Sequence, residues 1–256
     1  MNGQAITFDF HNTLADCPAW FDLEVKHLPS SFLQWWASAS GVERLPAQAL
    51  AEADVRYRQL RREIMDHGNE LTAEESLEAV FGAMGLSIPE PELIAGVEQL
   101  MREALAGTTP IPGAVETIQT IHREGVDIGV VSSAVYHPFL EWALESFGIR
   151  SAIRVVITSA SAGYYKSRPE IYHHAAEEIG ADPARMVHVG DSLRFDVAGA
   201  RRAGMGTVWL RHDRDGLTDE TIVPDLTLHT LEGAAPDIMR LLESRAAAHD
   251  ASRGRA

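Results

Sequence analysis

RMVHVGDSLRFDVAGARRAG, residues 185 to 204, is a short β-rich run ending in Gly190 and Asp191, followed by a helix-like stretch that closes at Gly204. The same alternation recurs along the chain in AITFDF, VDIGVVS, IRVVIT, GTVWLR and DLTLH, each run separated from the next by turn signals or helix-favouring sequence. Residues 113 to 124 place Val115, Ile118 and Ile121 on one face and end at Gly125, as a crossover helix would. Most of the β-rich runs are apolar on both faces, the pattern of strands buried between two helical layers. The expected fold is α/β, a doubly wound parallel sheet.

One connection does not fit a simple crossover. About 115 residues separate the first run from the second, whereas a crossover needs a few tens. The intervening sequence is rich in helix formers: PAQALAEADVRYRQLRREIMDHG, TAEESLEAVFGAMG and PELIAGVEQLMREALAG, with Thr72 and Glu75 at capping-box spacing. We therefore expect residues 1–15 plus 109–245 to form an α/β core and residues 16–108 a small helical domain inserted into it. Hinges are expected near Ala15 to Trp20 and near Thr108 to Gly113, where TTPIPG breaks regular structure. The tail, 246–256, lacks apolar anchors and is expected to be disordered.

Bulk properties narrow the partners. Lys plus Arg number 22 against 37 Asp plus Glu, and the net charge of −15 repels phosphate backbones and anionic lipid alike. Neither nucleic acid nor a membrane is an expected partner, and no apolar run approaches the roughly 20 residues of a membrane helix. A cytoplasmic protein is expected; oligomeric state leaves no trace in the sequence. The single cysteine, Cys17, excludes an intrachain disulfide and reads as a small packing residue.

In an open α/β sheet, ligands bind outside the carboxyl ends of the strands, so the residues found there are the first candidates for chemistry. Asp9 follows AITF, Ser132 follows IGVV, Lys166 follows the third run after a loop, and Asp191 follows HVG. An isolated acid at such a place is ordinarily a turn former or helix cap. Two acids converging on one crevice repel each other unless a cation lies between them, and Mg²⁺ suits hard oxygen ligands shared with a phosphate. With a lysine to offset phosphate charge and a hydroxyl to donate to it, the set suits phosphoryl transfer to a carboxylate.

These residues resemble a known family. FDFHNTL, VVSS, YYKSRPEIY and HVGDSLRFDVAGARRAGM are similar, in order, to the four motifs of the haloacid dehalogenase-like superfamily, and the helical insertion resembles that family's cap domain. The resemblance implies that Asp9 is the nucleophile and a Mg²⁺ ligand, and that the backbone carbonyl of His11 also meets the metal. It implies that Ser132 and Lys166 hold the transferring phosphoryl group, that Asp191 is the metal-ligand acid and that Asp196 supports the metal shell. The substrate it implies is a small phosphorylated metabolite bound beneath the cap.

Three departures from the family pattern stand out. Phosphatases of the family place an acid at the position of His11, where it protonates the leaving group and activates water, a contribution of roughly 10²- to 10⁴-fold. Histidine can shuttle protons in its place, can position substrate, or can be tolerated in a catalytically weak binding module. Asn12 stands where glycine is usual, and asparagine is the side chain most at ease at positive φ. Ser167 and Arg168 replace the proline and acid that usually follow the lysine. A 2-haloacid dehalogenase is the rival hydrolase; such enzymes carry tyrosine at the position of His11 and lack the Gly-Asp-Ser arrangement that Asp191 belongs to here. Beyond the motifs, Trp35 and Trp36 read as insert core, His137 as a candidate substrate contact, His188 as a strand residue with a local hydrogen bond, and Arg56, Arg58, Arg61 and Arg62 as a solvated helix face.

Overall fold

The computed structural model describes residues 3–41, 45–212 and 221–253. It begins with β1 (Ala5–Phe8), whose four residues are all buried. The next turn holds Asn12 at φ +59°, the one non-glycine residue at positive φ among those described. β2 (Ala15–Asp16) and α1 (Pro18–Asp22) follow, and a π-helical turn (Leu23–His27) leads into α2 (Leu28–Ala39). α3 (Ala47–His67) ends at Gly68 in the left-handed region, and α4 (Ala73–Ala83) starts from the Thr72–Glu75 capping box. α5 (Glu90–Leu105) leads to β3 (Thr109–Pro110), which pairs antiparallel with β2, so the chain leaves the helical insertion beside the point where it enters.

From there strands and helices alternate: α6 (Ala114–Arg123), β4 (Asp127–Ser132), α7 (His137–Ser146), β5 (Val155–Thr158), α8 (Ser159–Ala162), α9 (Glu170–Ile179) and β6 (Met186–Gly190). α10 (Ala198–Arg202), β7 (Gly206–Leu210), β8 (Leu226–Leu228) and α11 (Ala235–Arg253) complete the described chain. The six strands form one parallel sheet in the order β5-β4-β1-β6-β7-β8. Pairing alternates side chains between faces. Ile6, Val130 and Val189 pack with Ile118, Ile121, Ile238 and Leu242 on one side; Ala5, Val131 and Met186 pack with Ile171, Ala175 and Ile179 on the other. This is the doubly wound α/β fold, with a helical insertion between β1 and the later strands.

One expectation is corrected at the C-terminus. The tail was expected to be disordered from 246, yet α11 continues to Arg253. Ala246 is buried, and Arg185 Nη1 donates to Asp250 Oδ1 at 3.1 Å. The anchors are one small apolar residue and polar pairs, a signal that hydrophobic patterning does not carry. Residues 254–256 of that tail lie outside the described residues.

Candidate active site

β1 and β6 lie side by side, which brings their carboxyl ends, and with them Asp9 and Asp191, to one edge of the sheet. Asp9 N donates to Val189 O at 2.8 Å, extending the β1–β6 ladder to the acid itself. Trp209 Nε1 donates to Asp191 O at 2.9 Å and fixes the loop after β6. Asp196 enters from the next turn, where its Oδ2 accepts from Ser192 N at 2.9 Å. That approach requires Gly190, since a Cβ there would stand 2.3 Å from the Asp196 carboxyl carbon.

Lys166 is buried and joins two of these acids, donating to Asp9 Oδ1 and, at 2.6 Å, to Asp196 Oδ1. His188 Nε2 lies 3.1 Å from the same Asp196 oxygen, and its Nδ1 lies 2.9 Å from Thr7 Oγ1. One oxygen from each of Asp9, Asp191 and Asp196 falls within 4.8 Å of the others. Their electrostatics diverge. Burial would raise Asp196, but Lys166 and the His188 hydrogen bond hold it well below the usual carboxylate range. For Asp9, burial outweighs Lys166 and the pKa rises to about 6; for Asp191, burial and the charges of Asp9 and Asp196 raise it to about 8. Burial opposes a charge on Lys166, but Asp196 and Asp9 more than compensate and hold it firmly protonated.

The donor set fits a hard divalent cation. Three carboxylates converge, and two of them are disfavoured as anions until another positive charge arrives. A ligand that binds only the folded state stabilises it by about 2.7 kcal/mol at a hundredfold excess over Kd. Added Mg²⁺ is therefore expected to raise the melting temperature of the wild type and to leave that of Asp191→Asn where it was; equal shifts would place the cation elsewhere.

Above the acids lies a cavity of about 460 Å³, lined from the core by Asp9, Ser132, Ser133, Lys166, Asp191 and Asp196, and by His11, Trp20, Phe21 and Glu24 near and within the insertion. All six residues singled out in the sequence thus face one space. His11 is held on two sides: its ring stacks on Phe21 at 4.3 Å and 10°, and its Nδ1 lies 3.1 Å from Cys17 Sγ. Burial pushes the Cys17 thiol up, so it stays protonated.

Other sequence readings shift. Arg58, Arg61 and Arg62 line the cavity, whereas Arg56 pairs with Glu52 on the outside of α3, so the cluster is not a uniformly solvated face. Arg61 is buried against Glu70, donating from Nη1 at 2.5 Å and from Nη2 at 3.1 Å, and Ser159 Oγ reaches the same carboxylate at 2.6 Å. Arg168 stays out of the cavity and donates to Asn69 Oδ1 at 2.8 Å, tying the insertion to the core. Trp35 packs on Phe32 and Trp36 Nε1 donates to Glu92, both within the insertion as expected and both half-buried, while Trp20 is the indole that lines the cavity. His137 is not a lining residue; its Nδ1 lies 3.2 Å from Thr158 Oγ1. Glu24 and Phe21 escaped the sequence reading, because only the path of the insertion brings them over the sheet.

An open parallel sheet with an acid closing its first strand, and a helical insertion standing over that acid, is the frame of an α/β enzyme that binds its ligand at the strand ends. The chain belongs to the haloacid dehalogenase-like hydrolases, whose family model matches residues 4–204. It is 29% identical over 198 residues to a glyceraldehyde 3-phosphate phosphatase of Methanopyrus kandleri, covering 76% of this chain and 83% of that protein. Among solved structures it resembles a 2-haloacid dehalogenase from Pseudomonas syringae (TM-score 0.65, 21% identity, 93% and 98% of the two chains). It also resembles the magnesium-bound HAD-hydrolase YfnB of Bacillus subtilis (TM-score 0.61, 20% identity, 92% and 98%). Both likenesses are of fold.

Proposed function

We propose that this protein is a Mg²⁺-dependent phosphatase acting on a small phosphorylated metabolite through an aspartyl-phosphate intermediate. The observation that carries the proposal is the convergence of Asp9, Asp191 and Asp196 beside Lys166 on the floor of one cavity. An Asp9 carboxylate oxygen attacks phosphorus, and the bond to the leaving oxygen breaks as that oxygen takes up a proton. Water then attacks the phosphorus of the aspartyl phosphate, releasing inorganic phosphate and restoring the carboxylate. Lys166 offsets charge on the phosphoryl oxygens while keeping Asp9 ionised, and Ser132 donates its hydroxyl to the same group. Asp9, Asp191 and the carbonyl of His11 would hold Mg²⁺, with Asp196 in support, and the ion supplies charge neutralisation across the phosphoryl group. That the Methanopyrus kandleri relative is a glyceraldehyde 3-phosphate phosphatase supports the substrate class. A haloacid substrate suits the site less well, because displacement of halide by a carboxylate needs no cation, whereas three converging acids call for one and a phosphoryl group can share it.

A panel of phosphomonoesters assayed with Mg²⁺ and with chelator, alongside chloride release from 2-chloropropionate, tests the reading. Phosphate release that chelator abolishes is expected; chloride release that survives chelator would replace phosphatase with dehalogenase, and neither product would leave a binding module.

His11 takes the acid-base part in this scheme, its ring aimed by Phe21 and Cys17. His11→Asp, which restores the family's usual acid, is expected to match or exceed the wild-type kcat for an aryl phosphate and to move the pH profile. A fall of tenfold or more would instead assign the ring to substrate recognition.

A further inference from the structure

One buried side chain in the cavity has no part in the phosphoryl chemistry. Glu24 lies on the π-helical turn Leu23–His27 and is 2% exposed. Its Oε1 accepts from Val135 N at 2.7 Å, on the loop that follows β4 and Ser132. Its Oε2 is buried without a hydrogen-bond partner among the described residues, and Glu24 lines the cavity over Asp9. Buried polar atoms are nearly always satisfied, so an exception beside a cavity marks a place for a ligand atom.

The neighbours leave that oxygen unclaimed. On α3, Arg61 is committed to Glu70 through two hydrogen bonds, and Tyr57 gives its hydroxyl to the backbone carbonyl of Glu24 at 2.5 Å. Other ionisable groups near Glu24 are Glu70, whose charge raises it, Cys17, held protonated by burial, and Tyr165, which burial also raises. Lys26, Arg58 and Arg62 line the same cavity, and Lys26 pairs with Asp22. Burial lifts the Glu24 carboxyl, against the pull of Arg61 and the Val135 N–H, to about 8. Because Oε1 accepts from Val135 N, Oε2 is the atom that carries the proton whenever the carboxyl is un-ionised.

We propose that Glu24 determines specificity: its Oε2 hydrogen-bonds a neutral oxygen, a hydroxyl or carbonyl, on the leaving group, so that the site prefers hydroxylated phosphomonoesters to apolar ones of the same shape. This rests on the phosphatase reading. A site built to bond such a group discriminates strongly against the analogue that lacks it, because its own polar atom is then left unpaired.

Ribose 5-phosphate and cyclopentylmethyl phosphate form a pair of equal ring size, and p-nitrophenyl phosphate reports the chemistry alone. Wild type is expected to favour the ribose ester by at least about tenfold in kcat/KM. Glu24→Gln keeps an acceptor for Val135 N and a donor for the substrate, and should retain most of that ratio; Glu24→Leu should bring it close to one. KM for the ribose ester should rise above pH 8 in wild type, as the acid ionises and loses its donor, and stay level in Glu24→Gln. A wild-type ratio near one, or a preference that survives in Glu24→Leu, overturns the proposal. Should Glu24→Leu not fold, the contrast in KM between wild type and Glu24→Gln decides, and parallel profiles count against it. Absence of Mg²⁺-dependent turnover of p-nitrophenyl phosphate would instead remove the phosphatase reading, and this inference with it.

Discussion

Asp9→Asn is expected to reduce phosphate release from an aryl phosphate by about 10⁴- to 10⁶-fold, the scale on which enzymes respond to loss of a covalent nucleophile. The amide has the shape of the carboxylate and cannot form the ester. Because Lys166 keeps its 2.6 Å bond to Asp196, the variant should fold with its cavity in place. Measuring turnover beside far-ultraviolet circular dichroism separates lost chemistry from lost structure. A folded variant with more than a tenth of wild-type activity would rule out attack by Asp9.

Lys166→Met addresses the same cluster from the positive side. The lysine is 3% exposed and lies between two acids that are also buried. Removing one partner of a buried ion pair typically costs 3–5 kcal/mol, because the charge left behind has neither solvent nor counterion. We expect a loss of that size in urea denaturation without added metal, together with loss of turnover. Part of the stability should return as the pH is lowered: burial already raises the Asp9 carboxyl with the lysine present, and without the lysine that pulled it down Asp9 takes up a proton more readily still and ceases to be a stranded charge. An unchanged urea midpoint would mean that water reaches the cluster freely.

The sheet was readable from the sequence because five of its strands are largely apolar runs bounded by turn residues, in which burial on both faces erases the polar alternation of an exposed strand; the edge strand β8, LTL, keeps that alternation with Thr227 exposed. The gap between the first two runs betrayed the insertion, and Thr72 with Glu75 marked the start of α4 to the residue. Asp9, Ser132 and Asp191 were legible for a topological reason: they stand where β1, β4 and β6 end, and adjacency in the sheet does the rest, while Lys166 comes from the loop beyond β5 and α8. Glu24, Phe21 and the Arg61–Glu70 pair were not, because no local pattern says which face of an inserted helix will look down on a distant strand. His188 reads from sequence as an ordinary strand residue; only the fold sets it between Thr7 and Asp196. The C-terminal tail failed for a similar reason, its hold on the core being mostly polar.

The strand order places β1 in the middle of the sheet, between β4 and β6, although it is the first to be made. Its second neighbour emerges from the ribosome about 180 residues later, on the order of 10 s or more at ordinary translation speeds. Until then AITF has no partner on that edge, and it is a mostly apolar ribbon, Thr7 apart, open to any sticky nascent chain nearby. Biogenesis of this protein should therefore lean on holding factors at the exit tunnel, and fragments that stop short of Gly190 should collect in inclusion bodies.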